Sequence, residues 1–240
     1  MTAPVAKEWT SDRLKDVSAI NASSLPANTD ADYEFAYLEI SNVNYHGIVD
    51  PIAIERLRFE EAPSRARRRL AKNCTAISSV RPNLQAVAFI ETAPDDLVCS
   101  TGFNVVQPAA DKLSPKFAYY ALLSDGARQY FEATAKGVGY PAVDDKDFQS
   151  FSVALPSVPA QQRIAAYLDA SCAAIDAAVA AKRRQLETLD ALRFSIISRA
   201  VTHGLNGKAA LKPSGLDWVL EVPAHWQVQQ IKRLCGLVDG

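Results

Sequence analysis

The sequence is poor in the residues that build metal sites and disulfide frameworks. Its 240 residues include four cysteines, three histidines and one methionine. Cys74, Cys99, Cys172 and Cys235 lie far apart, and none forms a Cys-x-x-Cys pair, which argues against structural zinc and against a disulfide framework. The histidines also lack the spacing of metal ligands. The sequence therefore predicts a chain without a metal, suited to a reducing cytoplasm.

Catalytic motifs are missing as well. The chain has no Gly-x-Gly-x-x-Gly or Gly-x-x-x-x-Gly-Lys-Ser/Thr loop for nucleotides and no Gly-x-Ser-x-Gly elbow. Asp95, Asp144, Asp145 and Lys146 loosely match the carboxylates and lysine of a metal-dependent nuclease, but solvated turn residues explain them more simply. We expect no cofactor and no catalytic residue.

Long apolar runs and a strong net charge are absent too. No segment approaches the ~20 apolar residues of a membrane helix, and the first eight residues have no apolar signal stretch. Hydrophobic residues make up 48% and charged residues 22%, with a net charge of −1. This composition is typical of a soluble protein of one or two domains, and we expect no contact with a membrane.

The charges are unevenly distributed along the chain. Residues 1–157 carry 16 basic and 20 acidic side chains, whereas residues 158–240 have a balance of +3. Within the acidic part lies a basic island, in which only Glu60 and Glu61 oppose seven cations. Its members are Arg56, Arg58, Arg65, Arg67, Arg68, Arg69 and Lys72. A local patch of this kind can bind phosphates even on a neutral protein.

Residues 1–157 read as a mixture of strands and helices. Two helices are expected, a short basic one over residues 60–72 and a longer one over residues 115–135, which opens with Ser114-Pro115. Strand candidates are residues 34–40, 48–54, 74–77, 85–90, 102–106 and 151–155. Because strands and helices interleave irregularly, we predict an α+β domain over residues 1–157.

The next segment predicts one very long helix. No proline or glycine interrupts residues 160–203, and Gly204 supplies a natural stop. The apolar seam alternates steps of four and three, which is the heptad repeat of a coiled coil. Its positions are Leu168, Cys172, Ile175, Val179, Lys182, Leu186, Leu189, Arg193, Ile196 and Ala200, of which Lys182 and Arg193 interrupt the apolar line. We predict a helical spacer over residues 158–204, although a helix packed on its own domain is the alternative.

A short internal repeat links the two ends of the chain. Residues 9–17 and 226–234 both read Trp, four residues, Leu or Ile, Lys, any residue, then Val or Leu. A proline precedes each tryptophan. The match predicts that residues 205–240 form a linker and the truncated start of a second copy of the first domain.

The junction between domain and spacer carries a family resemblance. Residues 155–169 read LPSVPAQQRIAAYLD, and residues 198–205 read SRAVTHGL. With Gly137, Gly139 and Pro141 ahead of the last strand, this pattern resembles the specificity (S) subunits of type I restriction–modification systems. Such subunits alternate target recognition domains with long helical spacers. The resemblance implies a half-length form: a mixed α/β DNA target recognition domain followed by one long coiled-coil spacer helix.

The resemblance also implies a function and partners. The chain would be a non-catalytic, sequence-specific DNA-binding subunit that directs methyltransferase (M) and restriction (R) subunits to a target in the cytoplasm. The basic island, with Arg65, Arg67, Arg68, Arg69 and Lys72, would contact phosphates, unless it is only a solvated helix face. Arg81 would bond guanine, unless it is an ordinary surface arginine. Further candidates, each equally explained as turn or connector residues, are Asn42, Asn44, Tyr45 and His46, with Lys136 and Tyr140 for the DNA backbone.

Two classes of function remain open from the sequence. A DNA-reading subunit is favoured by the basic island, the repeat and the spacer. A coiled-coil interaction or regulatory protein that does not read DNA is favoured by the −4 balance of residues 1–157. In either case the seam needs a partner helix. We expect two chains to pair antiparallel through residues 164–203, with the two-fold axis near residues 182–186, so that their joint DNA target is palindromic.

Overall fold

The structure, a computed structural model, describes residues 9–43, 54–92 and 94–233. The chain divides into two compact units, one ending at Ala170 and the other beginning at Ser171. Domain limits at residues 157 and 204 stay predictions, because the division of the chain into units does not test them.

The first unit contains strands and helices in irregular order. Its strands are β1 (Thr10–Arg13), β2 (Ser18–Ile20), β3 (Glu34–Leu38), β4 (Glu55–Arg58), β5 (Ala66–Arg69), β6 (Cys74–Ser78), β7 (Val87–Ile90), β8 (Leu97–Ser100), β9 (Phe103–Pro108) and β10 (Ser152–Leu155). Its helices are α1 (Leu14–Val17), α2 (Pro115–Leu123), α3 (Asp125–Thr134), α4 (Asp145–Ser150) and the start of α5 (Val158–His203). The α+β prediction and the long spacer helix are confirmed.

The strands form two four-stranded sheets and one short ribbon. One sheet has the order β2-β9-β6-β7 and is antiparallel throughout. The other has the order β4-β3-β8-β5, in which only β3 and β8 are parallel. The ribbon pairs β1 with β10, the first and last strands of the unit.

Burial explains why the first sheet is central. Every residue of β6 is buried, because α2 packs on the sheet that contains it while the sheet's other face adjoins the second sheet's core. Aromatic side chains fill the space beneath the helices, and the rings of Phe131 and Phe148 stack with centroids 5.1 Å apart. Such pairs add to the stability that burial of the rings already supplies.

Two expected helices differ in the structure. The basic helix over residues 60–72 is wrong: these residues form a turn and then β5, because Ala66 and Leu70 are buried at even spacing around the half-buried Arg68. The helix over residues 115–135 is divided at Ser124, whose hydroxyl accepts a hydrogen bond from the Ala127 N–H at 3.2 Å and caps α3. Of the strand expected at residues 48–54, residues 48–53 lie outside the described residues.

The first turns of α5 are joined to the rest of the first unit by a buried amide. Gln161 is completely buried, and its Oε1 accepts the Ser114 N–H at 2.7 Å. Its Nε2 donates to the carbonyls of Lys112 and Pro156 at 3.0 and 2.9 Å. About two turns of helix further, the Tyr120 hydroxyl donates to Asp169 at 2.7 Å. These bonds connect the start of α5 to the rest of the first unit.

The second unit contains the rest of α5 and a hairpin. The hairpin pairs β11 (Leu211–Leu216) with β12 (Val219–Pro223), an element that the sequence did not predict. Gly204 ends α5 with φ of +75°, and a Cβ there would lie 3.2 Å from the Trp226 ring. Glycine is therefore required both by the backbone conformation and by the packing of Trp226.

Helix α5 also contains a long apolar stretch. One 18-residue window reaches a mean hydropathy of 1.5 and is long and apolar enough to cross a membrane by length and composition alone. Only 6% of that window is buried in the structure. The expectation that the chain does not contact a membrane therefore stays a prediction.

Candidate nucleic-acid interface

Several loops meet at one edge of the first unit. The Thr101 N–H donates to the Arg65 carbonyl at 2.8 Å, and the Ser79 N–H donates to the Gly102 carbonyl at 2.8 Å. The Arg81 N–H in turn donates to the Pro141 carbonyl at 2.7 Å. This chain of backbone bonds defines the loop edge, which comprises Arg65, the turn at residues 101–102, residues 79–83 and residues 136–142.

Arg81 is a cation of the loop edge that its backbone and an aromatic ring hold in place. Its backbone is left-handed, with φ of +49°, at the start of a 3-10 turn over Pro82–Leu84. An arginine adopts this conformation only where its surroundings enforce it, and the bond to Pro141 does so here. Its exposed guanidinium lies 4.3 Å from the ring centroid of Tyr140. The ring therefore pre-orients a charged donor toward solvent.

Residues 136–142 form a tight loop closed at its base. Lys136 and Ala142 exchange two backbone hydrogen bonds, at 2.8 and 2.9 Å. The Lys136 ammonium donates to Asp144 at 2.5 Å and to Asp147 at 3.1 Å. These bonds raise the pKa of Lys136 and lower that of Asp144. The charge of Lys136 is thus already balanced, and its role is to hold the loop.

Arg65 is an exposed cation beside a carboxylate. Its guanidinium donates to Glu39 at 3.1 Å, and the neighbouring Tyr37 hydroxyl and Glu39 raise the pKa of Arg65. Asn42 has a structural contact next to it, because its Oδ1 accepts the Glu39 N–H at 2.7 Å. Asn44, Tyr45 and His46 lie outside the described residues.

The three arginines of β5 have different surroundings. Arg67 lies over the Phe59 ring at 4.3 Å, and Arg69 lies 6.0 Å from the Tyr33 ring centroid, both half-exposed. Arg68 points the other way and donates to the Phe103 carbonyl and to Asn104 Oδ1, the latter at 3.0 Å. Burial lowers the pKa of the Arg68 guanidinium. Its charge therefore joins the two sheets instead of facing solvent.

The structure divides the basic island and neutralises part of it. Arg56 pairs with Asp96 at 2.6 Å, and Arg58 pairs with Glu61 at 2.6 Å. Lys72 is exposed but precedes β6, whereas Arg81 follows it. Strand β6 is ~17 Å long for its five residues, so it lies between Lys72 and Arg81 along the chain.

Metal-binding groups are not assembled in the described part of the chain. No cluster of three or more histidine, cysteine or acidic residues with the geometry of a metal site occurs there. Cys74 and Cys99 are free and buried, and burial raises the pKa of Cys74 to about 11 and that of Cys99 to about 12. Neither thiol is therefore suited to nucleophilic chemistry near neutral pH.

The family model described as type I restriction modification DNA specificity domain matches residues 6–188. The chain belongs to this family. The assignment confirms the resemblance seen at the junction of recognition domain and spacer. Type I specificity domains of known structure have the same fold as this chain. The HsdS subunit of Thermoanaerobacter tengcongensis superposes with a TM-score of 0.67 at 23% identity, over 88% of this chain and 53% of that chain.

Two further relatives set the extent of the match. A structure from work on complex assembly and conformational transition of the type I R-M system has a TM-score of 0.69 at 25% identity, covering 89% of this chain and 54% of that one. The HindI specificity subunit of Haemophilus influenzae is 26% identical over 133 residues, which is 55% of this chain and 26% of that protein. The chain thus spans about half of the solved structures and about a quarter of the curated relative.

Within this type I specificity domain, the loop edge is the feature that the sequence did not predict. Arg81 and Tyr140 were separate candidates, and their contact emerges only because the two loops are bridged at Val80 and Ala142. Val138 was not a candidate at all. Its position between two glycines was the available signal, because glycine-flanked residues are commonly displayed on tight turns.

Proposed function

We propose that this chain is the DNA-reading subunit of a type I restriction–modification complex. It would direct methyltransferase and restriction subunits to a target sequence in the cytoplasm, without catalysis of its own. Family membership and the fold support this role. The alternative, a coiled-coil regulatory protein that does not read DNA, is not favoured by either.

The contact between Arg81 and Tyr140 is the observation that carries the proposal. A guanidinium held over an exposed ring offers the forked donors that can bond both acceptors of a guanine edge in the major groove. Arg65 lies on the same loop edge, which supports a contact between Arg65 and the DNA backbone. We assign base reading to Arg81 and phosphate contacts to Arg65, Arg67 and Lys72.

The remaining candidates receive other roles in this proposal. Arg69 also contacts phosphate, since it is half-exposed on the same face as Arg67. Arg68 and Lys136 position their neighbours through hydrogen bonds. Tyr140 orients Arg81 and contributes its exposed ring to the DNA contact.

The seam of α5 provides the second part of the proposal. Most of its apolar members are exposed, with Leu186 at 63%, and such a surface is stabilised when a second helix covers it. The other exposed members are Ile175, Val179, Leu189 and Ile196. We propose that two chains pair antiparallel along this seam, that the outer face binds methyltransferase subunits, and that the joint target is palindromic.

The test begins with the full chain and a randomised pool of DNA duplexes. Repeated selection should enrich one palindromic sequence, and fluorescence anisotropy should then give affinities for that duplex and for a scrambled one at two salt concentrations. Arg81→Ala should weaken binding to the selected duplex by ~1–3 kcal/mol and leave the scrambled duplex unchanged. Arg13→Ala, an exposed arginine on β1, is the matched control. Failure to enrich any sequence would overturn the proposal.

A further inference from the structure

Val138 is an aliphatic side chain displayed at the tip of the 136–142 loop. It is fully exposed, at 104% of its reference area, and it lies between Gly137 and Gly139. Gly137 has φ of +105°, and a Cβ there would lie 3.2 Å from the Tyr140 carbonyl, so only glycine fits. The backbone of the loop is thus shaped to lift Val138 away from the protein.

The base of this loop is clamped from two sides. Besides the paired backbone bonds between Lys136 and Ala142, the Asp144 carboxylate that holds the Lys136 ammonium also accepts the Asp147 N–H at 2.8 Å and caps α4. A clamped loop loses little conformational entropy when its tip is buried against a ligand. The tip is therefore suited to insertion.

The neighbours of Val138 indicate what it meets. Tyr140, 71% exposed, follows it on the same loop, and the Arg81 guanidinium lies on the Tyr140 ring. This combination suits a partner that has stacked aromatic rings and a negatively charged backbone. The apolar side chain and the aromatic face would pack on the rings, and the cation would be attracted to the charged backbone. Duplex DNA has both properties, and a protein surface rarely does.

We infer that Val138, supported by Tyr140, inserts between two adjacent base pairs of the target and partly unstacks them. Apolar wedges of this kind kink the duplex, and they favour pyrimidine–purine steps because those steps unstack most easily. The target would thus be read in two ways, by Arg81 at a base edge and by Val138 through the flexibility of a neighbouring step. This inference rests on the proposed function of the loop edge.

The experiment uses the full chain and the duplex enriched from the randomised pool. The adenine analogue 2-aminopurine, whose fluorescence rises on unstacking, replaces each adenine in turn. We expect an increase of about twofold or more at one step when the chain binds. Val138→Ser should abolish that increase and lower affinity for the selected duplex about tenfold. Leu220→Ser, which changes another strongly exposed aliphatic residue on β12, should alter neither.

Three results would overturn the inference. Sequence-selective binding without a brightened 2-aminopurine position rejects insertion and leaves the proposed function intact. An unchanged signal in Val138→Ser, with weaker capture of methyltransferase subunits by the same variant, assigns the tip to a protein contact. Absence of any sequence-selective binding removes the proposed function and the inference together.

Discussion

Arg68 is the residue whose role differs most between the sequence and the structure. As part of a basic island it was a phosphate contact, but in the fold it bonds the Phe103 carbonyl and Asn104 across the two sheets. Asn104 is itself completely buried. We therefore predict that Arg68→Ala destabilises the recognition domain and affects DNA binding only as far as the domain unfolds.

The size of the effect follows from the bonds that are lost. A hydrogen bond from a charged donor contributes ~1.5–3 kcal/mol, and Arg68 donates two. The cost of burying the Arg68 charge, which also lowers its pKa, offsets part of that stabilisation. We expect a decrease of about 2–3 kcal/mol in the free energy of unfolding. For a unit of this size, each kcal/mol shifts the unfolding midpoint by about 2–4 °C, so the midpoint should fall by about 4–12 °C.

Urea titration and thermal melts followed by circular dichroism measure this change. Arg68→Lys separates a structural role from a phosphate contact. Lysine would still contact a phosphate, but it lacks the guanidinium geometry that bonds both the Phe103 carbonyl and Asn104. Arg67→Ala is the matched control, since the contact of Arg67 with Phe59 contributes only ~0.5–1 kcal/mol. If Arg68→Ala melts like the wild type and loses affinity for every duplex, the structural role is refuted.

Three other changes test the phosphate contacts, the seam and the thiols. Lys72→Ala should reduce the salt dependence of DNA binding by ~0.9 in log–log slope without changing sequence preference, as measured by anisotropy. Leu186→Asp should convert a dimer into monomers in sedimentation while the recognition domain keeps its melting temperature; a wild-type monomer at micromolar concentration would contradict the pairing. Cys172, in the seam, should alkylate faster at pH 8 in Leu186→Asp than in the wild type, while the buried Cys74 and Cys99 stay unlabelled in mass spectra.

Local signals in the sequence predicted the spacer and several strands well. The uninterrupted run before Gly204 gave the helix, because its ends are set by neighbouring residues. The arginine run around residue 68 led to a wrong prediction. Its charges suggested a solvated helix, whereas the alternation of Ala66, Arg68 and Leu70 has the period of a strand. Pairing of β5 with β8, which sequence proximity does not reveal, decided the outcome.

The candidate interface was predictable in its parts but not in its arrangement. Arg81 and Tyr140 were both singled out for their residue type and loop context. Their contact depends on backbone bonds between loops far apart in the chain, and such pairings are fixed by the whole fold. The island does not form a single patch because Arg68 turns inward to Asn104 and Arg56 and Arg58 pair with carboxylates. Those contacts depend on the tertiary fold.

The ribbon of β1 and β10 has a consequence for how such proteins can evolve. Thr10 lies opposite Leu155 and Arg13 opposite Ser152, so the chain comes into the recognition domain and leaves it on adjacent antiparallel strands, which are ~4.8 Å apart. A different domain that kept this ribbon could replace residues 14–151 by recombination without moving the ends that it must rejoin. Under the proposed function, one genetic crossover in each strand of the ribbon would give the same spacer helix a new DNA target.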